Sequence, residues 1–179
     1  MPNDFLKGLE TFDRELVLAC HRLRNRPMTW LMQAFTYSAS TPAWVVLIVA
    51  IYVINRNGPT PLFNDPLILS LISAIAASAI GNSLRPLLKR PRPHVTLAQH
   101  DALVWVPKNH SMPSSHAASC FAWFFALYLI AHPLTAVVGL WALLVTLSRF
   151  YLGVHYPTDL IAGTALGVAI GGAVHLILY

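Results

Sequence analysis

The sequence predicts an all-α fold: a polytopic membrane helix bundle of about five transmembrane helices behind an N-terminal amphipathic helix. Three observations point there. Of the 179 residues, 56% are hydrophobic and only 11% are charged, against about 25% charged in soluble domains. The mean hydropathy is +0.58, so lipid is the natural solvent. Apolar runs near the length of a bilayer crossing, about 20 residues, recur between short polar links. The length suits one domain, divided into an interfacial helix over 1–26 and a transmembrane catalytic core over 27–179.

Each element follows from its pattern. Residues 3–25 set Phe5, Leu6, Leu9, Phe12, Leu16 and Val17 against Lys7, Glu10, Asp13, Arg14 and Glu15. That is an amphipathic helix too polar to span, expected on the membrane surface. Trp30–Ile54 is the first span, kinked at Pro42 or preceded by a short helix. Asn55–Pro66 is a loop rich in Pro, Gly and Asn. Leu67–Leu84 is the second span, and Arg85–Met112 is the longest polar stretch. Ser114–Ala131 is the third span, His132-Pro133 a turn, and Leu134–Leu147 the fourth span. Ser148–Tyr156 reads as a polar link, and Pro157–Tyr179 is the fifth span. Gly163, Gly167 and Gly171 recur every fourth residue in it, a pattern that lets helices pack closely in lipid.

Several function classes are excluded. The net charge is +5, but a nucleic-acid binder would carry its cations on a polar domain, and none is present. Cys20 and Cys120 give no disulfide or zinc signal. The start, Met1-Pro-Asn-Asp, lacks the basic-then-apolar pattern of a signal peptide.

The polar residues of the apolar half are few. After Lys108 the formally charged ones are Arg149 and Asp159, and ionisable groups near membrane depth need a partner or a function. A single structural ion pair between them is the plainest reading. His155 lies between them, however, and His116 follows Pro113-Ser114-Ser115 at the start of another span. Arg85, Lys89, Arg90 and Arg92 end a third. Counting hairpins brings all three groups to one membrane face, with the links at 55–66 and 132–133 on the other. By itself a cluster such as Lys89 and Arg90 reads as a membrane-flanking anchor. His94, His100 and His110 read as rim residues, His132 and His175 as packing or interfacial residues, and Trp30 and Trp105 as interface aromatics.

Cationic donors suit an anion with several oxygens, and arginine fits phosphate best. The helix opened by Ser114-Ser115 offers free N–H groups and a positive dipole end. Of two histidines, one can attack phosphorus and the other protonate the leaving oxygen, with a carboxylate fixing the tautomer. Asp159 stands one helical turn after His155, and Pro157 suits the first position of that helix. No metal or other cofactor is expected. Magnesium and calcium sites want several carboxylates, and zinc on His116 and His155 would lack a third ligand.

These residues resemble the type 2 phosphatidic acid phosphatase superfamily, which includes vanadium haloperoxidases and glucose-6-phosphatase. Its signature is Lys-x6-Arg-Pro, Pro-Ser-Gly-His and Ser-Arg-x5-His-x3-Asp. The third part is complete here, from Ser148-Arg149 through His155 to Asp159. The second reads Pro113-Ser114-Ser115-His116, with Ser115 in place of Gly. The first reads Arg85, six residues, then Arg92-Pro93, with Arg85 in place of Lys. The likeness runs from about residue 67 to the C-terminus and implies a type 2 phosphatidic acid phosphatase/haloperoxidase-like core. It implies His155 as the nucleophile that forms a phosphohistidine, Asp159 as its orienting carboxylate and His116 as the general acid. It also implies Arg85, Arg92, Ser114, Ser115 and Arg149 as phosphate binders. Arg85 keeps the charge of the family's Lys with a different reach, and Lys89, one turn on, is a candidate to share its task.

The expected activity is metal-independent hydrolysis of a lipid phosphate monoester or pyrophosphate. The small architecture is similar to bacterial undecaprenyl pyrophosphate phosphatases. Phosphatidylglycerophosphate, phosphatidic acid and lipid A phosphates are the next substrates, and a lipid phosphotransferase would use the same residues. A haloperoxidase or a non-catalytic lipid-binding protein is the reading from another class. The expected partners are the lipid substrate and the bilayer, with no nucleic acid. The expected location is the bacterial inner membrane with the active site on its outer face, although Arg14, Arg22, Arg24 and Arg26 weigh toward the cytoplasm by the positive-inside rule.

Overall fold

The computed structural model describes residues 2–55, 66–97, 101–106 and 109–178, with side chains described from residue 7 onward and not at residue 55. Among them the regular structure is all helical: α1 Pro2–Arg22, α2 Arg26–Ser38, α3 Thr41–Asn55, α4 Pro66–Leu88, α5 Pro93–Thr96, α6 Ser115–Leu129, α7 Thr135–Tyr151 and α8 Pro157–Leu178. The loop expected over 55–66 and the rim residue His100 fall largely or wholly outside the described residues.

The five apolar segments expected to span are helical, and they differ in length and continuity. Pro66–Thr96 and Pro157–Leu178 are each long and apolar enough to cross a membrane. The segment expected over Trp30–Ile54 is a broken pair, α2 and α3, bent by 57°. Asn25 opens α2 by accepting the Met28 N–H at 3.0 Å, and the break falls at Ala39-Ser40, just before Pro42. The apolar helices α6 and α7 are shorter, at 15 and 17 residues.

Helix α6 is the centre of the bundle, packed against α4, α7 and α8. The glycine stripe of α8 makes this approach possible. A Cβ on Gly163 would stand 2.5 Å from the Ser114 carbonyl oxygen, and one on Gly167 2.3 Å from that of Ala118. Trp44, Trp123 and Trp141 meet edge to face, with ring centroids 5.4–5.8 Å apart. Such aromatic pairs add to the burial of their large apolar surfaces.

Two elements depart from the sequence reading. Helix α7 runs through Ser148 and Arg149 to Tyr151, where a polar link was expected. It ends in a Schellman motif: the Gly153 N–H bonds the Phe150 carbonyl at 3.0 Å and the Val154 N–H bonds that of Arg149 at 3.2 Å. Gly153 takes the left-handed conformation this cap requires, with φ 77°. Helix α1 also differs. An amphipathic helix on a surface keeps its charges outward, yet Asp13 is fully buried beside Val17, while Phe12 is exposed. The reason is tertiary: α1 packs on α7 and α8 and presents Asp13 to the start of α8.

Candidate active site

The site lies where α4, α6, α7 and α8 meet at one end. Helix α7 ends at its Schellman turn and α8 begins at Pro157, so His155 is held in the link between two caps. Tyr156 is the N-cap of α8 and Asp159 its third helical residue. The Asp159 Oδ2 reaches back to accept the Tyr156 N–H at 2.9 Å, which is half of a capping box. The same oxygen lies 3.6 Å from His155 Nδ1, just beyond hydrogen-bond length.

The other face of the imidazole fixes its tautomer. His155 Nε2 is 3.3 Å from Arg92 Nη1. A guanidinium only donates, so Nε2 is the acceptor and the ring proton sits on Nδ1, toward Asp159. Burial pushes the His155 pKa down to about 3 from 6.5; Asp159 opposes the fall, and Arg92 and Arg149 add to it. The imidazole is therefore neutral, with a lone pair on Nε2.

His155 lines a cavity of about 670 Å³ together with Arg85, Arg92, Arg149, Ser115 and His116, among others. All three arginines are buried. Arg92 is held by the Asn109 backbone and side-chain oxygens at 3.1 and 2.6 Å and by the Val154 carbonyl at 2.9 Å. Arg85 donates to the Pro113 carbonyl at 3.2 Å and to Ser115 Oγ at 2.8 Å. Arg149 Nη1 donates to Thr36 Oγ1 at 2.5 Å, while its Nε is buried with no hydrogen-bond partner. Among the described residues no carboxylate lines the cavity. Three guanidiniums without a facing anion are costly to bury, so the cavity is built for a multiply charged anion. Among the described residues no three His, Cys, Asp or Glu side chains form a metal-ligating group, and the donor set that does line the cavity repels a cation.

Two expected phosphate binders lie elsewhere. Ser114 is fully buried and its hydroxyl caps α6, accepting the Ala117 N–H at 3.5 Å. Lys89 stands past the end of α4, with φ 50° and an exposed side chain, and does not line the cavity. The simple Arg149–Asp159 ion pair is not formed. Asp159 Oδ1 instead takes Arg90 Nη1 at 2.7 Å. Arg90, read as an anchor, is thus part of the site's frame, and so is Asp13, 2.5 Å from its Nη2. The signal that could have found Asp13 is helical spacing: it stands four residues after Leu9 and four before Val17, on the apolar stripe of α1, whereas its partners are distant in sequence.

The PAP2 superfamily model matches residues 66–179. The chain belongs to the PAP2 superfamily. Across 178 aligned residues it is 31% identical to the lipid A 4'-phosphatase of Bacteroides thetaiotaomicron, covering 90% of this chain and 75% of that one. It is 33% identical over 98 residues to an undecaprenyl-diphosphatase of Sulfolobus acidocaldarius, covering 54% of this chain and 48% of that one. The crystal structure of a PAP2 type phosphatidylglycerolphosphate phosphatase from Bacillus subtilis superposes with a TM-score of 0.80 at 23% identity, covering 95% of this chain and 86% of that one. This PAP2 protein is a lipid phosphatase of a bacterial membrane, with the all-α fold of membrane PAP2 phosphatases. Its relatives carry different substrate names, so kinship establishes the class and not one lipid. The haloperoxidase and non-catalytic readings give way to the phosphatase relatives.

Proposed function

We propose that this protein releases phosphate from a polyprenyl pyrophosphate through a phosphohistidine formed on His155. The observation that carries the reading is the His155 imidazole itself: it lines one cavity with three buried guanidiniums, its Nε2 lies 3.3 Å from the guanidinium of Arg92, and its Nδ1 faces Asp159. Nε2 attacks the terminal phosphorus, and the bond from phosphorus to the bridging oxygen breaks. His116, half-buried on the first turn of α6, gives that oxygen its proton. Asp159 stabilises the positive charge that develops on His155, while Arg85, Arg92 and Arg149 take the phosphoryl charge. Water then attacks the phosphohistidine, gives its proton back to His116, and releases phosphate.

Two features support this lipid class. Three guanidiniums match the charge of a pyrophosphate more closely than that of a monoester. An apolar groove of about 340 Å³ between α3 and α4, walled by Val45, Ile48, Ala74 and Ile75, adjoins the cavity. The two share Thr41, Trp44, Ser78, Asn82 and Ser119 as lining. One slender tail fits such a groove with its pyrophosphate among the arginines. The lipid A 4'-phosphatase relative favours a second reading, a phosphate monoester on lipid A. Phosphate release by purified protein, measured with undecaprenyl pyrophosphate, lipid A and phosphatidylglycerophosphate in parallel, separates them. Preference for either of the latter two overturns the polyprenyl assignment. His155→Ala is expected to abolish turnover on any of them, and retained turnover overturns the nucleophile.

The same reading places the cavity on the outer face of the inner membrane. Arg85, Arg92 and Arg149 are buried toward the substrate site and Arg90 is paired with carboxylates, so these cations are not free flanking charges that hold a loop in the cytoplasm. Reporter fusions at Met1 and Tyr179 test this, and a cytoplasmic Met1 overturns it.

A further inference from the structure

Asp13 is an acid on the apolar stripe of α1, four residues from both Leu9 and Val17, and the fold buries it completely. All its partners lie at the catalytic end. Its Oδ2 accepts Arg90 Nη2 at 2.5 Å and also the Thr158 hydroxyl, and its Oδ1 accepts the Thr158 N–H at 3.2 Å. Thr158 is the second residue of α8, so a carboxylate from a helix 145 residues away caps that helix's N-terminus. The Thr158 hydroxyl in turn accepts Arg90 Nη1 at 2.6 Å. The same Nη1 holds Asp159 Oδ1 at 2.7 Å, and the guanidinium lies over the Tyr156 ring, 4.2 Å from its centroid.

We propose that Asp13 and Arg90 are positioning residues, which act through Asp159 to aim and charge the carboxylate that serves His155. This rests on His155 being the nucleophile. Asp159 has two oxygens with separate tasks. Oδ2 takes the Tyr156 N–H and faces His155, while Oδ1 is fixed by Arg90. Arg90 is in turn fixed by Asp13 and Thr158, so the rotation of the carboxylate is set by α1. Sharing matters as well as aim. With Arg90 divided between two acids, Asp159 keeps negative charge to offer the imidazolium that develops as His155 attacks. With Asp13 neutral, the whole guanidinium charge falls on Asp159 and that help weakens. Neither Asp13 nor Arg90 lines the substrate cavity, so the effect belongs to the chemical step and not to binding.

The experiment compares full-length Asp13→Asn, Asp13→Glu and Thr158→Val with the parent, with Glu15→Gln, an exposed α1 position, as the control. Each is purified as a monodisperse detergent complex, and kcat and KM are measured on the lipid substrate the parent turns over best. Asp13→Asn is expected to lower kcat roughly ten- to a hundredfold, with KM changed less than about twofold. Asp13→Glu regains part of the loss, and Glu15→Gln matches the parent. A merely structural role would instead reduce the yield of folded protein and leave kcat of the folded fraction unchanged, which overturns the proposal. A loss confined to KM overturns it too. If Asp13→Asn does not stay folded, Thr158→Val decides. It removes only the bridging hydroxyl, and unchanged kcat sinks the proposal while a several-fold fall with constant KM upholds it. His155→Ala is run alongside. An active His155→Ala overturns the nucleophile and this inference together. An inactive one, beside an Asp13→Asn variant as fast as the parent, overturns the positioning role alone.

Discussion

Arg85 Nη2 donates to Ser115 Oγ at 2.8 Å, and these are the two positions at which the chain departs from its family's motif. A guanidinium has donors to spare where a lysine has one compact ammonium, and the serine hydroxyl accepts one of them. The two departures are therefore parts of one contact. Restoring either family residue alone, by Arg85→Lys or Ser115→Gly, is expected to lower kcat/KM several-fold. Arg85→Lys together with Ser115→Gly is expected to recover much of it. A double-mutant cycle should show coupling of about 1 kcal/mol or more, and additive single effects would refute it.

Arg149 carries a trade between stability and function. It is buried with Arg85 and Arg92 facing the same cavity, and its Nε lacks a partner. Arg149→Met is expected to lower kcat/KM roughly a hundredfold or more. In phosphate-free buffer it is also expected to raise thermal stability, by about 1 kcal/mol, because one of three like charges is gone. Added phosphate should stabilise the parent and leave the variant unmoved. Melting curves with and without phosphate check both halves.

The pH dependence of stability follows from His155. Its folded pKa is near 3, against an ordinary 6.5. Above pH 6.5 both folded and unfolded chains hold it neutral, and it contributes no slope. Between 6.5 and about 3 the unfolded chain takes up a proton that the folded one refuses, so stability falls as pH falls through that window. Thermal melts from pH 7 to pH 4 should show the decline, and His155→Gln should flatten it. An equal slope in the variant would assign the decline to other groups.

The glycine stripe separates packing from catalysis. Gly167→Ala drives a Cβ to 2.3 Å from the Ala118 carbonyl and is expected to cost about 1–3 kcal/mol of stability. Gly163→Ala meets the Ser114 carbonyl at 2.5 Å, at the turn that carries Ser115 and His116. It should therefore lose activity as well as stability. Gly172→Ala, whose Cβ would meet only the Phe125 ring at 3.5 Å, should be neutral by the same assays.

What the sequence determined by itself is what lies within a few residues of backbone. The apolar runs give the helices, because a chain in lipid must satisfy its own peptide groups. The stretch from Ser148 to Asp159 encodes its geometry almost alone. Gly153 stops one helix, Pro157 starts the next, and the four-residue step brings Asp159 back toward His155 and the Tyr156 N–H. The tertiary structure decided which charges meet. Lys89 and Arg90 are adjacent and read alike, yet one is exposed and the other joins Asp13 and Asp159, 77 and 69 residues away. Ser114 and Ser115 are adjacent too, and one caps a helix while the other holds Arg85. Helix periodicity fixes the neighbours of a residue on its own element. Which distant charge fills a buried place depends on how the helices dock: spacing alone puts Asp13 on the apolar stripe of α1, and the docking of α1 on α8 decides that Arg90 and Thr158 meet it.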